Sequence, residues 1–199
     1  MFFKRTYCAS FRLSLEYAPL DVGAGDSVLT GQQKSFLDRR LREAAEQQPD
    51  LGLLKGLLLG FGGVHLVAPP GPDPDLPLLI EAGFVMAGPV VLRAMKKSGC
   101  HENLAELWAS NEPGVVGIGT GYSLSDDGLW RQHSWGIRRE GILETTASRV
   151  KYFGVLLQRR DADMFAIANQ ADWRAPRGTG KRKKGTGAPR STWQVRAMR

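Results

Sequence analysis

The chain has 199 residues, 42% of them hydrophobic and 24% charged, a balance that supports one substantial core and excludes a chain disordered throughout. Its 27 Lys and Arg against 20 Asp and Glu give +7, yet nine of the basic residues lie from Arg174 onward, where no acidic residue occurs, leaving 18 basic against 20 acidic in the rest. Two cysteines, Cys8 and Cys100, exclude a disulfide scaffold.

The first residues, Met1-Phe2-Phe3-Lys4-Arg5, lack the apolar run of a signal peptide, and residues 6–17 alternate loosely as a strand would, with Phe11, Leu13 and Leu15 on one face. Thr30-Gly31-Gln32-Gln33 has the form of a capping box, and Phe36, Leu37, Leu41, Ala44 and Ala45 follow at helical spacing. This predicts a helix over 31–48, stopped by Pro49. A second helix is expected over 51–60, then a short strand at 64–67 beyond Gly62-Gly63. The apolar stretch from Leu51 to Ala68 is broken by Lys55, His65 and several glycines, so it reads as buried structure rather than a membrane span, and the expected location is cytoplasmic. Prolines from Pro69 to Pro77 mark a surface connection that either divides an N-terminal subdomain (1–68) from a core (78–173) or is a long loop within one domain. Gly83, Gly88 and Pro89 argue against a continuous helix over 78–92.

The second half predicts a short helix from Cys100 to Trp108, then strands at 115–124, 129–137 and 142–146. Ser125-Asp126-Asp127-Gly128 and Arg138 to Gly141 supply the turns of a three-stranded antiparallel meander. A further helix is expected over 148–157. The fold class is therefore α+β, a cysteine-bearing helix packed on an antiparallel meander with an N-terminal α+β extension. The domain is expected over 1–173, and 174–199 reads as a disordered basic tail because Gly, Pro, Lys and Arg leave too little apolar surface to offset the entropy of ordering.

Three polar residues stand out. Cys100 opens its helix, where unpaired amides and the positive end of the helix dipole favour a thiolate. His133 lies mid-strand and Glu144 on the next strand. In the expected pairing the two fall opposite or diagonal to one another, close enough for a carboxylate to orient an imidazole. Nucleophile, base and orienter together are the parts of an activated thiol. The order of Cys at a helix start, His133-Ser134-Trp135 on a strand and Glu144-Thr145-Thr146 on the following strand resembles the core of papain-like and transglutaminase-like cysteine enzymes, over about residues 98–157. That resemblance implies Cys100 as nucleophile, His133 as base, Glu144 as orienting acid, no cofactor, and an acyl substrate such as a protein or peptide amide. The family's third member is more often Asp or Asn, and no upstream Gln is evident for an oxyanion hole. Gly121 to Trp135 also resembles a motif of bacterial proteins of unassigned activity.

Structural readings stand beside these. Cys100 reads equally as a small buried side chain, His133 as a core histidine between Trp130 and Trp135, and Glu144 as a partner of Arg131. Cys100, His101, His133 and Glu144 also form a candidate zinc set, but adjacent Cys-His and the lack of Cys-x-x-Cys argue against it. Gly117-Ile118-Gly119-Thr120-Gly121 fits no phosphate-binding pattern and reads as a strand that lets something approach its backbone closely. Cys8 reads as structural. Lys181, Arg182, Lys183 and Lys184 carry the alternative function, a non-enzymatic binding protein whose tail contacts nucleic acid through phosphates while the body docks a protein.

Overall fold

A computed structural model describes residues 29–170, so the strand expected at 6–17, Cys8 and the basic segment from Arg174 lie outside the described residues. Helix α1 (Gly31–Gln47) begins at the capping box: Gln33 N–H donates to Thr30 Oγ1, and Thr30 N–H donates to Gln33 Oε1. Helix α2 (Leu51–Gly60) follows Pro49. Leu51, Leu54 and Leu58, one helical face, are fully buried. Strand β1 (His65–Leu66) is shorter than the expected 64–67. The proline-rich connection then leads into helix α3 (Leu76–Ala82) and the short strands β2 (Phe84–Met86) and β3 (Val90–Leu92).

The helix α4 (Cys100–Ala109) and the strands β4 (Val115–Leu124), β5 (Leu129–Arg138) and β6 (Gly141–Glu144) form where the sequence predicts them. The turn between β4 and β5 is closed by Gly128 N–H donating to Ser125 O, with Gly128 at φ 76°, a conformation glycine adopts without strain. The helix expected over 148–157 is instead a strand, β7 (Lys151–Leu157). It pairs with β4 on one side and β2 on the other, and Tyr152 to Val155 are all buried. A strand covered on both faces needs no alternation of apolar and polar residues, so its continuous apolar run carried no period to distinguish it from a helix. Helix α5 (Arg160–Asn169) ends the described chain.

The result is an α+β fold with a mixed seven-stranded sheet in the order β2-β7-β4-β5-β6-β3, with β1 joined to β5. The meander β4-β5-β6 is antiparallel, whereas β3 pairs with β6 and β1 pairs with β5 in parallel. Helices α1 to α3 share one core with Tyr122, Leu124, Trp130 and Phe153 of the sheet, so the segments before and after the proline-rich connection are packed together. A second core joins Leu104 and Leu107 of α4 to Ile118, Leu143 and Ala162. A third, of Met86, Trp135, Ile142 and Tyr152, sits beside His133.

The glycines of β4 are explained by what covers them. A Cβ at Gly119 would lie 2.2 Å from Trp135 Nε1, and one at Gly154 on β7 would lie 2.9 Å from the same indole. The Trp135 ring therefore rests directly on backbone. Among the described residues no helix is long and apolar enough to cross a membrane.

Candidate active site

Strand β5 positions the site through an interruption in its pairing. One edge is covered by β4 along nearly its whole length. The other edge meets β1 only at Leu129 and Trp130 and β6 only from Gly136 to Arg138. Residues 131–135 have no strand partner on that edge among the described residues. The start of α4 and the chain after β1 flank this interval. Together they line a cavity of about 660 Å³, with Cys100, His101, Arg131 and Gln132 on one side and Pro69 and Pro70 on another.

Cys100 is the first residue of α4, behind Gly99, and no side chain caps the helix. The first N–H to find a helical acceptor is that of Asn103, on Gly99 O. The N–H groups of Cys100, His101 and Glu102 take part in none of the hydrogen bonds among the described residues, so donors stand free beside the thiol. Asn103 fixes the helix in place, donating from Nδ2 to Lys96 O at 2.9 Å and to Thr145 Oγ1 at 3.3 Å, one residue beyond Glu144.

His133 donates from Nε2 to Glu144 Oε2 at 2.8 Å, with both side chains buried. The register pairs Gly136 with Leu143, and carried forward it sets Glu144 opposite Trp135, so His133 and Glu144 are diagonal rather than direct neighbours. Glu144 is saturated with donors. Its Oε1 accepts from Thr145 N–H, Thr146 N–H and Thr146 Oγ1, at 2.8, 2.9 and 3.0 Å. Its Oε2 accepts from Tyr152 Oη at 3.2 Å as well as from His133. Burial pushes this carboxyl up, but the His133 hydrogen bond and the Thr146 donors outweigh it and bring it down to about 2. Arg131 pairs with Asp127 instead of Glu144, through two bonds of 2.8 and 2.6 Å.

The thiol is half-buried and flanked by two imidazoles. His101 Nδ1 lies 3.5 Å from Cys100 Sγ, and the His133 ring stands close enough for the two groups to shift one another's titration. Burial alone raises the thiol; hydrogen bonding to His101 and then His133 overcomes this and lowers it to about 5. Burial lowers His133, but the nearby Cys100 thiol and the hydrogen-bonded Glu144 carboxylate reverse the balance and hold it above the ordinary histidine value. Both shifts favour a thiolate beside an imidazolium, backed by a carboxylate, over the neutral pair.

No protein-family model, curated protein or solved structure matches the chain. The site's reading rests on its own chemistry.

The three residues singled out from sequence are brought together here. Others escaped that reading. Tyr152 fell inside an expected helix, so nothing in the pattern set it against Glu144. His101 entered only as a zinc ligand, and Ser134 and Asn103 only as parts of their elements. His101 has a signal in hindsight: it follows the cysteine at a helix start. Among the described residues no group of three His, Cys, Asp or Glu side chains is arranged to hold a metal ion.

Proposed function

We propose that the protein is a cysteine-nucleophile acyl-transfer enzyme with a papain-like or transglutaminase-like core, acting on an amide or related acyl bond of a protein or peptide. The observation that carries this reading is a thiol at an uncapped helix start near His133, whose Nε2 is held by buried Glu144 at 2.8 Å. Cys100 Sγ attacks the acyl carbon, forming an S–C bond. Oxygen in the tetrahedral intermediate takes up negative charge beside the free N–H groups of Cys100 and its helical neighbours. As the C–N bond breaks, the His133 proton passes to the departing nitrogen. His133 is then the base that takes a proton from the acceptor, water or an amine, which releases the acyl group and restores the thiolate. Glu144 holds the imidazole and stays ionised throughout. Hydrolysis, deamidation and transfer to an amine share these steps and differ only in the acceptor and leaving group.

The test is the pH dependence of Cys100 alkylation by iodoacetamide in a Cys8→Ser background. A thiolate titrating well below the ordinary ~8.5, with a midpoint that rises in His133→Ala, supports the reading. A thiol that is inert, or that titrates normally whether or not His133 is present, sinks it.

A further inference from the structure

We infer that His101 is a second catalytic residue of this site, a fixed hydrogen-bond donor that holds the Cys100 thiolate independently of His133. The inference deepens the proposed function and rests on it.

The arrangement begins with a chain of hydroxyls under the sheet. Ser134 on β5 donates its proton to Thr120 Oγ1 on β4 at 3.3 Å, across a paired position of the ladder. A serine has one proton to give. The 2.9 Å contact between Ser134 Oγ and His101 Nδ1 is then one in which the ring donates and the hydroxyl accepts. A proton on His101 Nδ1 suits both neighbours, since the thiolate at 3.5 Å can only accept. The same nitrogen lies 3.5 Å from Cys100 Sγ, so its N–H points at both the serine oxygen and the sulfur. Ser134 is fully buried, and the His101 ring is further wedged edge-on against Phe165 of α5 at a centroid distance of 5.8 Å. The ring is thus held in one orientation and one tautomer by parts outside the His133–Glu144 pair.

That separation has a mechanistic use. His133 must surrender its proton to the leaving nitrogen and take one back from the acceptor. His101 gives up no proton in either step, so the sulfur keeps one donor throughout the cycle whatever the protonation state of His133. The charged and titratable groups facing the pair are few. Glu144 lies behind His133. Asp75, just before α3, is held above the usual carboxylate range by burial and by Asp73, with the nearby His101 ring acting in the opposite direction. Glu102 and Arg131 at the cavity wall are already paired with Lys96 and Asp127.

The experiment measures the alkylation midpoint of Cys100 in the full-length chain carrying Cys8→Ser, across His101→Ala, His101→Asn, Ser134→Ala and His133→Ala, with circular dichroism confirming that each is folded. The expected result is that His101→Ala raises the midpoint by about one pH unit, a tenfold loss of thiolate below the midpoint. His101→Asn, whose amide carries an N–H close to the Nδ1 position, restores most of it, and Ser134→Ala falls between. His133→Ala keeps a midpoint below the ordinary ~8.5 because His101 remains. An unchanged midpoint in His101→Ala overturns the inference while leaving His133 and the proposed function standing. Equal shifts in His101→Ala and His101→Asn also overturn it, since loss of packing alone would give that pattern. A wild-type midpoint at the ordinary thiol value overturns the proposed function, and the inference with it.

Discussion

Replacing Glu144 with Gln tests whether charge at this position sets the state of the site. The carboxylate accepts five hydrogen bonds and donates none, so every neighbour is a donor. A glutamine amide has one oxygen and one NH2. If its oxygen serves His133 and Tyr152, the NH2 confronts the N–H groups of Thr145 and Thr146, leaving buried donors unpaired at about 1–3 kcal/mol each. If its oxygen serves the threonines, the NH2 faces His133 Nε2, which must then be unprotonated. The ring proton moves to Nδ1, and the imidazole becomes a neutral group whose other nitrogen is occupied by the amide. The second arrangement is the cheaper one. Losing a charge-assisted hydrogen bond of about 1.5–3 kcal/mol moves the coupled Cys100 titration up by about 1–2 pH units, at 1.36 kcal/mol per unit. Breaking a buried ion pair also lowers folding stability by about 3 kcal/mol. Iodoacetamide alkylation across pH measures the first quantity and urea unfolding the second. A Glu144→Gln midpoint within about 0.3 units of wild type, a difference of only about 0.4 kcal/mol, would refute the claim that the carboxylate supports the thiolate through His133.

Other consequences follow from the same packing. Because the Glu144 carboxyl is depressed from 4.5 to about 2, it contributes stability that is complete above its unfolded value and lost as pH falls through that interval. Acid unfolding should therefore steepen below pH ~4.5 in wild type and flatten in Glu144→Gln, as read by circular dichroism. Gly119→Ala drives a methyl to 2.2 Å from the Trp135 indole and should destabilise the fold by about 3 kcal/mol in urea unfolding. Tyr122→Phe removes the 2.9 Å donor to Oδ2 of buried Asp73 and should cost about 1–3 kcal/mol by the same measurement. Deleting residues 174–199 should leave the alkylation profile of Cys100 unchanged. A salt-sensitive affinity for single-stranded DNA, if wild type has one, should disappear with that segment, as fluorescence anisotropy would read.

What was legible in the sequence divides along physical lines. Local signals carried α1, whose capping box and apolar face are both contained within a few turns, and the β4–β5 hairpin, whose Asp-Gly turn is a contiguous signal. The diagonal placement of His133 and Glu144 followed from a short turn, because register across such a turn varies by only a residue or two. Long-range pairing did not show. The strand β7 lies between two partners, one about 30 and one about 70 residues upstream, and nothing local to Lys151–Leu157 announces either. With β7 read as a helix, Tyr152 could not be set against Glu144. The contact between His101 and Ser134 was hidden for the same reason: it spans 33 residues and depends on where α4 settles against the sheet. The glycines of β4 were a partial case, since they announced a close approach without naming Trp135 as the group that makes it.

The site exists because two strands added to the same edge of β5, β1 in parallel and β6 antiparallel, stop short of one another. β1 contributes two residues to the edge of β5 and β6 contributes three, and the interval between them holds His133 with one edge free of strand pairing. Had either strand run on, its backbone would have occupied the space into which the start of α4 now turns. A sheet edge inside a protein leaves polar groups in need of partners, and a helix N-terminus brings unpaired amides of its own. Here the two incomplete elements meet around a thiol. The free N–H groups of the helix start stand beside the sulfur. Surrounding packing makes this arrangement rigid: Asn103 ties α4 to Thr145, Trp135 and Tyr152 wall in His133, and Ser134 fixes His101. The interval that leaves Arg131 and Gln132 without a strand partner on that edge also borders the cavity beside Cys100, the space that the proposed reaction would use for its substrate.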